Sequence, residues 1–267
     1  MLTRAFLSAM FAIALFAPGR SLAADLGATG LLWLPTGTAV PTPMAIVIAL
    51  HDSTDLDSRA WHYGDQVTAA GIAVLHVDVL ESAANGFGVT TTADDATVAR
   101  ARLTMLIHLV AEDPRFATAS VGLLAFGASG QAALLAAGDQ ANGDRIAGLA
   151  LLYPGCATLA ATTATENTPP RSPVLLLHGD ADPSNLPSDC SGLAGQLARS
   201  ASVRHRQYAG AGYAWDLAPH GAYERVKLPW PGRPGSLLTV THWPQAAEFA
   251  ATEVAAFFAA SFAAHRQ

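Results

Sequence analysis

The feature that most limits what this chain can become is the recurrence of short, unbroken apolar runs, each followed by a turn and a longer segment with helical spacing. The runs are Ala45–Leu50, Ile72–Val77, Val121–Phe126, Ala147–Leu152, Val174–Leu177 and Val203–Tyr208. Five of them are apolar on both faces, as strands covered by helices on each side must be. Helical segments are expected over about Arg59–Ala70, Asp94–Glu112, Ser129–Gly138, Ser188–Arg199 and Gln245–Ala264. In the second, Leu103, Ile107 and Val110 share one face and Asp113-Pro114 supplies the stop. This alternation predicts an α/β chain: a mostly parallel, doubly wound sheet with helices on both faces, in a single domain. Leu31–Leu34 is expected as an antiparallel edge strand, while Thr-rich Ala161–Ser172 and Asp216–Gly235 break the rhythm and are expected as loops.

Composition fits a large buried core, with 51% of the 267 residues apolar and 13% charged. Met1-Leu2-Thr3-Arg4 is a short basic start and Ala5–Pro18 a mostly apolar run. Small residues at Ser21 and Ala23 then place a signal-peptidase cut before Ala24. Residues 1–23 read as a signal peptide and 24–267 as the domain, with an uncleaved anchor as the alternative. No second apolar stretch is read as long enough for a membrane helix, so a soluble, secreted or periplasmic protein is expected, with no membrane partner after cleavage. Losing Arg4 and Arg20 leaves 13 basic residues of the original 15 against 21 acidic ones, a net charge of −8. The basic residues are scattered arginines with Lys227 the only lysine, which argues against nucleic acid. In an oxidising compartment the two cysteines, Cys156 and Cys190, are expected to pair, with two buried free thiols as the alternative.

In such a sheet chemistry belongs at the carboxyl ends of the strands. The run ending at Phe126 leads into Gly127-Ala128-Ser129-Gly130-Gln131 and a helix, which reads as a nucleophile elbow at Ser129, with Gln131 where the usual pattern has its last glycine. An N-capping serine is the bland alternative. The run ending at Leu177 leads into His178-Gly179-Asp180-Ala181-Asp182-Pro183, and Asp182 stands where a triad acid would follow the nucleophile in chain order. No metal-ligand spacing and no phosphate-binding glycine loop is present, so neither a metal nor a cofactor is expected.

Over about residues 40–264 these strings together resemble the dienelactone hydrolase family of α/β hydrolases. The resemblance rests on Leu50-His51-Asp52-Ser53, the Ser129 turn, Tyr153-Pro154-Gly155-Cys156, the His178–Pro183 turn and Tyr208-Ala209-Gly210-Ala211-Gly212-Tyr213-Ala214-Trp215-Asp216. It implies the α/β-hydrolase fold, an oxyanion hole from the N–H groups of Gly130 and Ser53, and Asp52 at a position acidic in some members. Members read Tyr-Pro-Gly-Ala-x-His-x-Phe-Asp at the last string, and its histidine is the general base.

Here that position is Tyr213. A phenol with an ordinary pKa near 10 does not take a serine's proton as imidazole does. His220, seven residues downstream, is the candidate substitute base, ahead of His242; His62 and His108 fall in helices, and His51 and His178 read as loop-orienting. The expectation is an exported serine hydrolase that cleaves a small ester or lactone through an acyl-enzyme on Ser129, with Asp182 as acid, His220 as base and Asp52, Tyr213 and Trp215 in the pocket. The competing expectation is a catalytically impaired α/β-hydrolase fold that binds a ligand or partner.

Overall fold

The computed structural model describes residues 26–37, 43–52, 56–80, 93–116, 120–166, 168–219 and 226–266. The expected signal peptide, Ser53 and His220 lie outside the described residues. The strands are β1 (Leu31–Trp33), β2 (Ile46–His51), β3 (Ala73–Asp78), β4 (Val121–Phe126), β5 (Ile146–Leu152), β6 (Val174–Gly179) and β7 (Val203–Tyr208). They form one sheet in the order β1-β3-β2-β4-β5-β6-β7, parallel throughout except where β1 runs antiparallel to β3 at the edge.

Alternate residues of each central strand enter different cores, as the two-residue period of a strand requires. Ile46, Ile48 and Leu50 of β2 join one core with α2 (Ala93–Glu112), α3 (Gly130–Gly138), α5 (Cys156–Glu166) and α6 (Pro187–Leu197). Val47 and Ala49 join the other, built with α1 (Ser58–Ala69) and α7 (Pro244–His265). Short α4 (Gln140–Gly143) leads into β5.

Three expectations are corrected. The first half of the Thr-rich segment is helical, since α5 runs to Glu166. Its threonines satisfy their hydroxyls inside the helix, Thr162 on the Thr158 carbonyl at 3.0 Å and Thr163 on that of Leu159 at 2.8 Å. The Asp216–Gly235 segment contributes β8 (Lys227–Pro229), paired with β9 (Leu237–Thr239) in a small antiparallel hairpin. By length and composition α7, with 22 residues, is apolar enough to cross a membrane, contrary to the expectation that no second such stretch exists. In this fold its Ala250, Val254, Phe257, Phe258 and Phe262 are buried against the sheet. The strand beneath has to yield space, and Gly122 provides it: a β-carbon there would stand 2.7 Å from the Phe258 ring.

The expected disulfide is present, joining Cys156 at the start of α5 to Cys190 in α6 with Cα atoms 4.9 Å apart. It closes a loop with a sequence separation of 34. Replacing both cysteines by alanine should lower the unfolding free energy by about 2–4 kcal/mol, read as a lower urea midpoint at unchanged slope; an unchanged midpoint would show that the bridge contributes nothing.

Candidate functional site

The carboxyl ends of β2, β4, β5, β6 and β7 deliver five loops to one edge of the sheet. Leaving β2, the chain places Asp52 fully buried and then caps α1 with Asp57, whose carboxylate accepts the Arg59 N–H at 3.0 Å. That cap turns the Arg59 side chain inward, where it is 0% exposed. Its guanidinium donates to Asp52 at 2.7 Å, to Asp57 through Nε at 2.9 Å and to the Tyr153 hydroxyl at 3.0 Å, and lies 4.8 Å from the centre of the Phe126 ring. Burial opposes these charges, yet Arg59 holds the Asp57 carboxyl far below the usual carboxylate range. In return Asp52 and Asp57 hold Arg59 well above its ordinary value despite its own burial.

Tyrosines extend the network. Tyr153, just past β5 in a positive-φ conformation (φ 42°), donates to Asp216 at 2.7 Å, and Tyr63 from α1 donates to the other Asp216 oxygen at 2.6 Å. Burial raises the Asp216 carboxyl, with Arg59 and the two phenol bonds opposing. From the loop after β7, Tyr213 donates to Asp52 at 2.8 Å. Burial, then the charge and bond of Asp52, push the Tyr213 phenol well above its ordinary value, so its proton stays on oxygen and points at a carboxylate. Tyr213 and Asp52 thus lie together at the carboxyl edge, both buried, and Trp215 is fully buried with its ring edge-on to Tyr153.

Ser129 is placed differently from the expectation. The sharp turn after β4 falls at Gly127, with φ +49°, and Ser129 follows in ordinary right-handed helical geometry (φ −69°, ψ −15°) as the first turn of α3 begins. Its hydroxyl is fully buried and donates toward the backbone carbonyls of Leu50 at 2.8 Å and Phe126 at 2.9 Å, while the Phe126 N–H donates to it at 3.1 Å. The elbow residue is therefore Gly127, and the assignment of Ser129 as nucleophile is corrected on that geometry. A β-carbon at Gly127 would run into the Asp52 carboxylate and the Tyr213 hydroxyl. The space that a nucleophilic side chain needs is filled by the Tyr213–Asp52 pair.

One other assignment changes with that shift. Gly130 spends its N–H on the Gly127 carbonyl, inside the turn, so it does not serve as an oxyanion donor; the N–H following the elbow belongs to Ala128. Asp182 is buried and accepts the Ser184 N–H at 2.8 Å, the Ser184 hydroxyl at 2.7 Å and the Asn185 amide at 2.9 Å. Burial raises its carboxyl, with those bonds opposing. Asn185 in turn accepts the N–H groups of Gly155 at 2.9 Å and Cys156 at 3.1 Å, which ties the loop after β6 to the disulfide-bearing loop after β5. The register at Gly127 has a sequence signal, because Ala125 and Ser129 are the small residues flanking a turn centred on 127.

Four of the histidines form two pairs. His51 Nε2 and His76 Nδ1 are 3.2 Å apart, and His178 and His205 meet through their Nε2 atoms at 2.8 Å. Burial, with His51 adding to it, pushes His76 down from 6.5 to about 3; burial also lowers His178 and His205. A histidine lowered this way binds its proton more readily unfolded, so its stabilisation is complete above pH 6.5 and is lost as pH falls from 6.5 toward 3.

Two measurements follow. Arg59→Gln should cost about 3–5 kcal/mol by stranding two buried carboxylates; a loss under about 1 kcal/mol would mean that the network is not held by this cation. Between pH 6.5 and 5 the unfolding free energy of His76→Gln should depend on pH less steeply than that of the unaltered protein, by up to about 1.4 kcal/mol per pH unit. Parallel slopes would contradict a neutral His76.

No protein-family model matches the sequence, and no curated protein matches it. Solved structures do. A dienelactone hydrolase from Anabaena variabilis aligns with a TM-score of 0.55 at 20% identity, covering 68% of this chain and 80% of its own. A dienelactone hydrolase-like promiscuous phosphotriesterase from metagenomic libraries aligns with a TM-score of 0.60 at 15% identity, covering 83% and 88%. The esterase domain of a Rhodothermus marinus protein aligns with a TM-score of 0.51 at 15% identity, covering 85% and 90%. These neighbours are hydrolases by name, and what likeness at such identities shows is architecture. With its mostly parallel sheet, two helical layers and strand-end loops, the chain has the α/β-hydrolase fold.

Proposed function

We propose that this chain acts by binding a ligand or partner and does not transfer acyl groups through a serine. The observation that carries the reading is Gly127: the residue at the elbow has no side chain, and its space holds a protonated tyrosine bonded to a buried aspartate. Acyl transfer needs a nucleophile, a base to deprotonate it and free donors for the oxyanion. At the elbow the first is glycine, and at the family's base position stands a phenol held protonated. Asp182, in the place of the acid, orients Ser184 and Asn185. The Cys156–Cys190 bridge supports the expectation of an oxidising, extracytoplasmic compartment.

The competing reading is an esterase or lactonase with Ser129 as nucleophile and His220 as base, and it draws support from the hydrolase names of the structural neighbours. It requires the Ser129 hydroxyl to leave the Leu50 and Phe126 carbonyls. Mass spectrometry after treatment with a fluorophosphonate separates the two, alongside p-nitrophenyl acetate hydrolysis by the protein and by Ser129→Ala. Binding without acyl transfer predicts no adduct and equal, background rates. A stoichiometric adduct on Ser129 with activity abolished in Ser129→Ala would establish the esterase.

A further inference from the structure

At the opposite end of the sheet, the amino ends of β5, β6 and β7 border a continuous groove. A cleft of about 380 Å³ between α4, the segment entering β6 and the last turns of α7 is lined by Arg171, Ser172, Pro173 and Ser261. It shares Arg171 with a second hollow of about 430 Å³ toward Thr168 and Ser200. It shares Pro173 and Ser261 with a third of about 180 Å³ that runs past Val174 and Phe257 to Arg204. β6 spans Val174–Gly179, and at about 3.3 Å per residue the groove lies roughly 17 Å from the Gly127–Tyr213 centre's end of the sheet.

Charge and polarity in this groove are unbalanced. Ser172 is 9% exposed, and its buried hydroxyl has no hydrogen-bond partner, an arrangement that costs free energy until a partner arrives. Arg171 and Arg204 are exposed and make no ion pair among the described residues. Of the aspartates on the rim, Asp139 is engaged by Arg100 at 3.4 Å and caps the Ala141 N–H at 3.0 Å, leaving Asp144 as the one acidic group opposed to two guanidiniums. On a chain of net charge −6 this is a local excess of positive charge. Beyond Arg171 the surface is carbon-rich, formed by half-buried Pro173 and the exposed Ala260 and Ala264 of α7, with Val174 and Phe257 buried beneath.

We infer that the groove binds a linear aliphatic carboxylate, with its head on Arg171 beside Ser172 and its chain along Pro173, Ala260 and Ala264 toward Arg204. A planar guanidinium pairs with a carboxylate through two parallel bonds, which fixes the head. An apolar chain replaces water over the carbon-rich stretch. The site is independent of whether the strand-end centre binds or reacts, and its success or failure leaves that question untouched.

Isothermal titration with sodium decanoate, below its aggregation range, tests the inference directly. Saturable one-to-one binding is expected, weakened at least about tenfold in Arg171→Gln and for decanol in place of decanoate. Ala264 is exposed on α7 and lines the groove, so Ala264→Trp should leave the fold intact by circular dichroism and abolish binding by filling the space. Absence of binding, equal binding of decanol, or binding unchanged in either variant would each overturn the assignment.

Discussion

The loops that follow β2, β5 and β7 at the carboxyl edge of this sheet depend on one buried cation. Arg59 is fully enclosed, and an uncompensated guanidinium in that position would be prohibitive. Asp52 and Asp57 compensate it from two directions, one leaving β2 and the other capping α1. With Asp52 fixed by Arg59, its second oxygen becomes a strong acceptor aimed at the elbow, and the Tyr213 hydroxyl satisfies it. Tyr153 and Tyr63 carry the same network to Asp216, so that loops following β2, β5 and β7 are bonded into one unit with α1. Such networks are stable only when every member is satisfied.

That arrangement explains why the elbow residue is glycine. A positive φ at the end of β4 favours glycine on its own, but the absence of a β-carbon matters more: Asp52 and Tyr213 already occupy the place it would take. The glycine at the turn and the tyrosine that faces it are therefore two sides of one arrangement. Removing the side chain at 127 makes room for the phenol, and the phenol satisfies a carboxylate that would otherwise be left buried with one free oxygen.

Much of the architecture was legible because it follows from local period. The apolar runs predict β2 to β7 within a residue or two, and Leu31–Leu34 emerges as the antiparallel edge that β1 forms. The pairing of Cys156 with Cys190 follows from their number and the expected compartment. The α5 helix leaves little trace in the sequence because threonine lowers helix propensity; its hydroxyls bond back within the helix, and the bridge to α6 that anchors it is non-local. A Gly-x-Ser-Gly string points to serine as the elbow, whereas the length of β4 sets which residue meets the turn and puts it two residues earlier. Arg59 gave no signal, since beyond neighbouring Asp57 its partners are seven and 94 residues away in the chain and only the fold brings them together.

The central claim is that Tyr213 is a buried, protonated hydrogen-bond donor to Asp52 at the elbow. Carbon-13 labelling of the tyrosine rings allows each phenol to be titrated by its Cζ shift, with Tyr213→Phe giving the assignment. The account predicts that the Tyr213 resonance does not move up to the pH at which the protein unfolds, well beyond 10. A Tyr213 phenol that titrates at or below 10 would contradict it, and would return a competent base to the edge of the sheet.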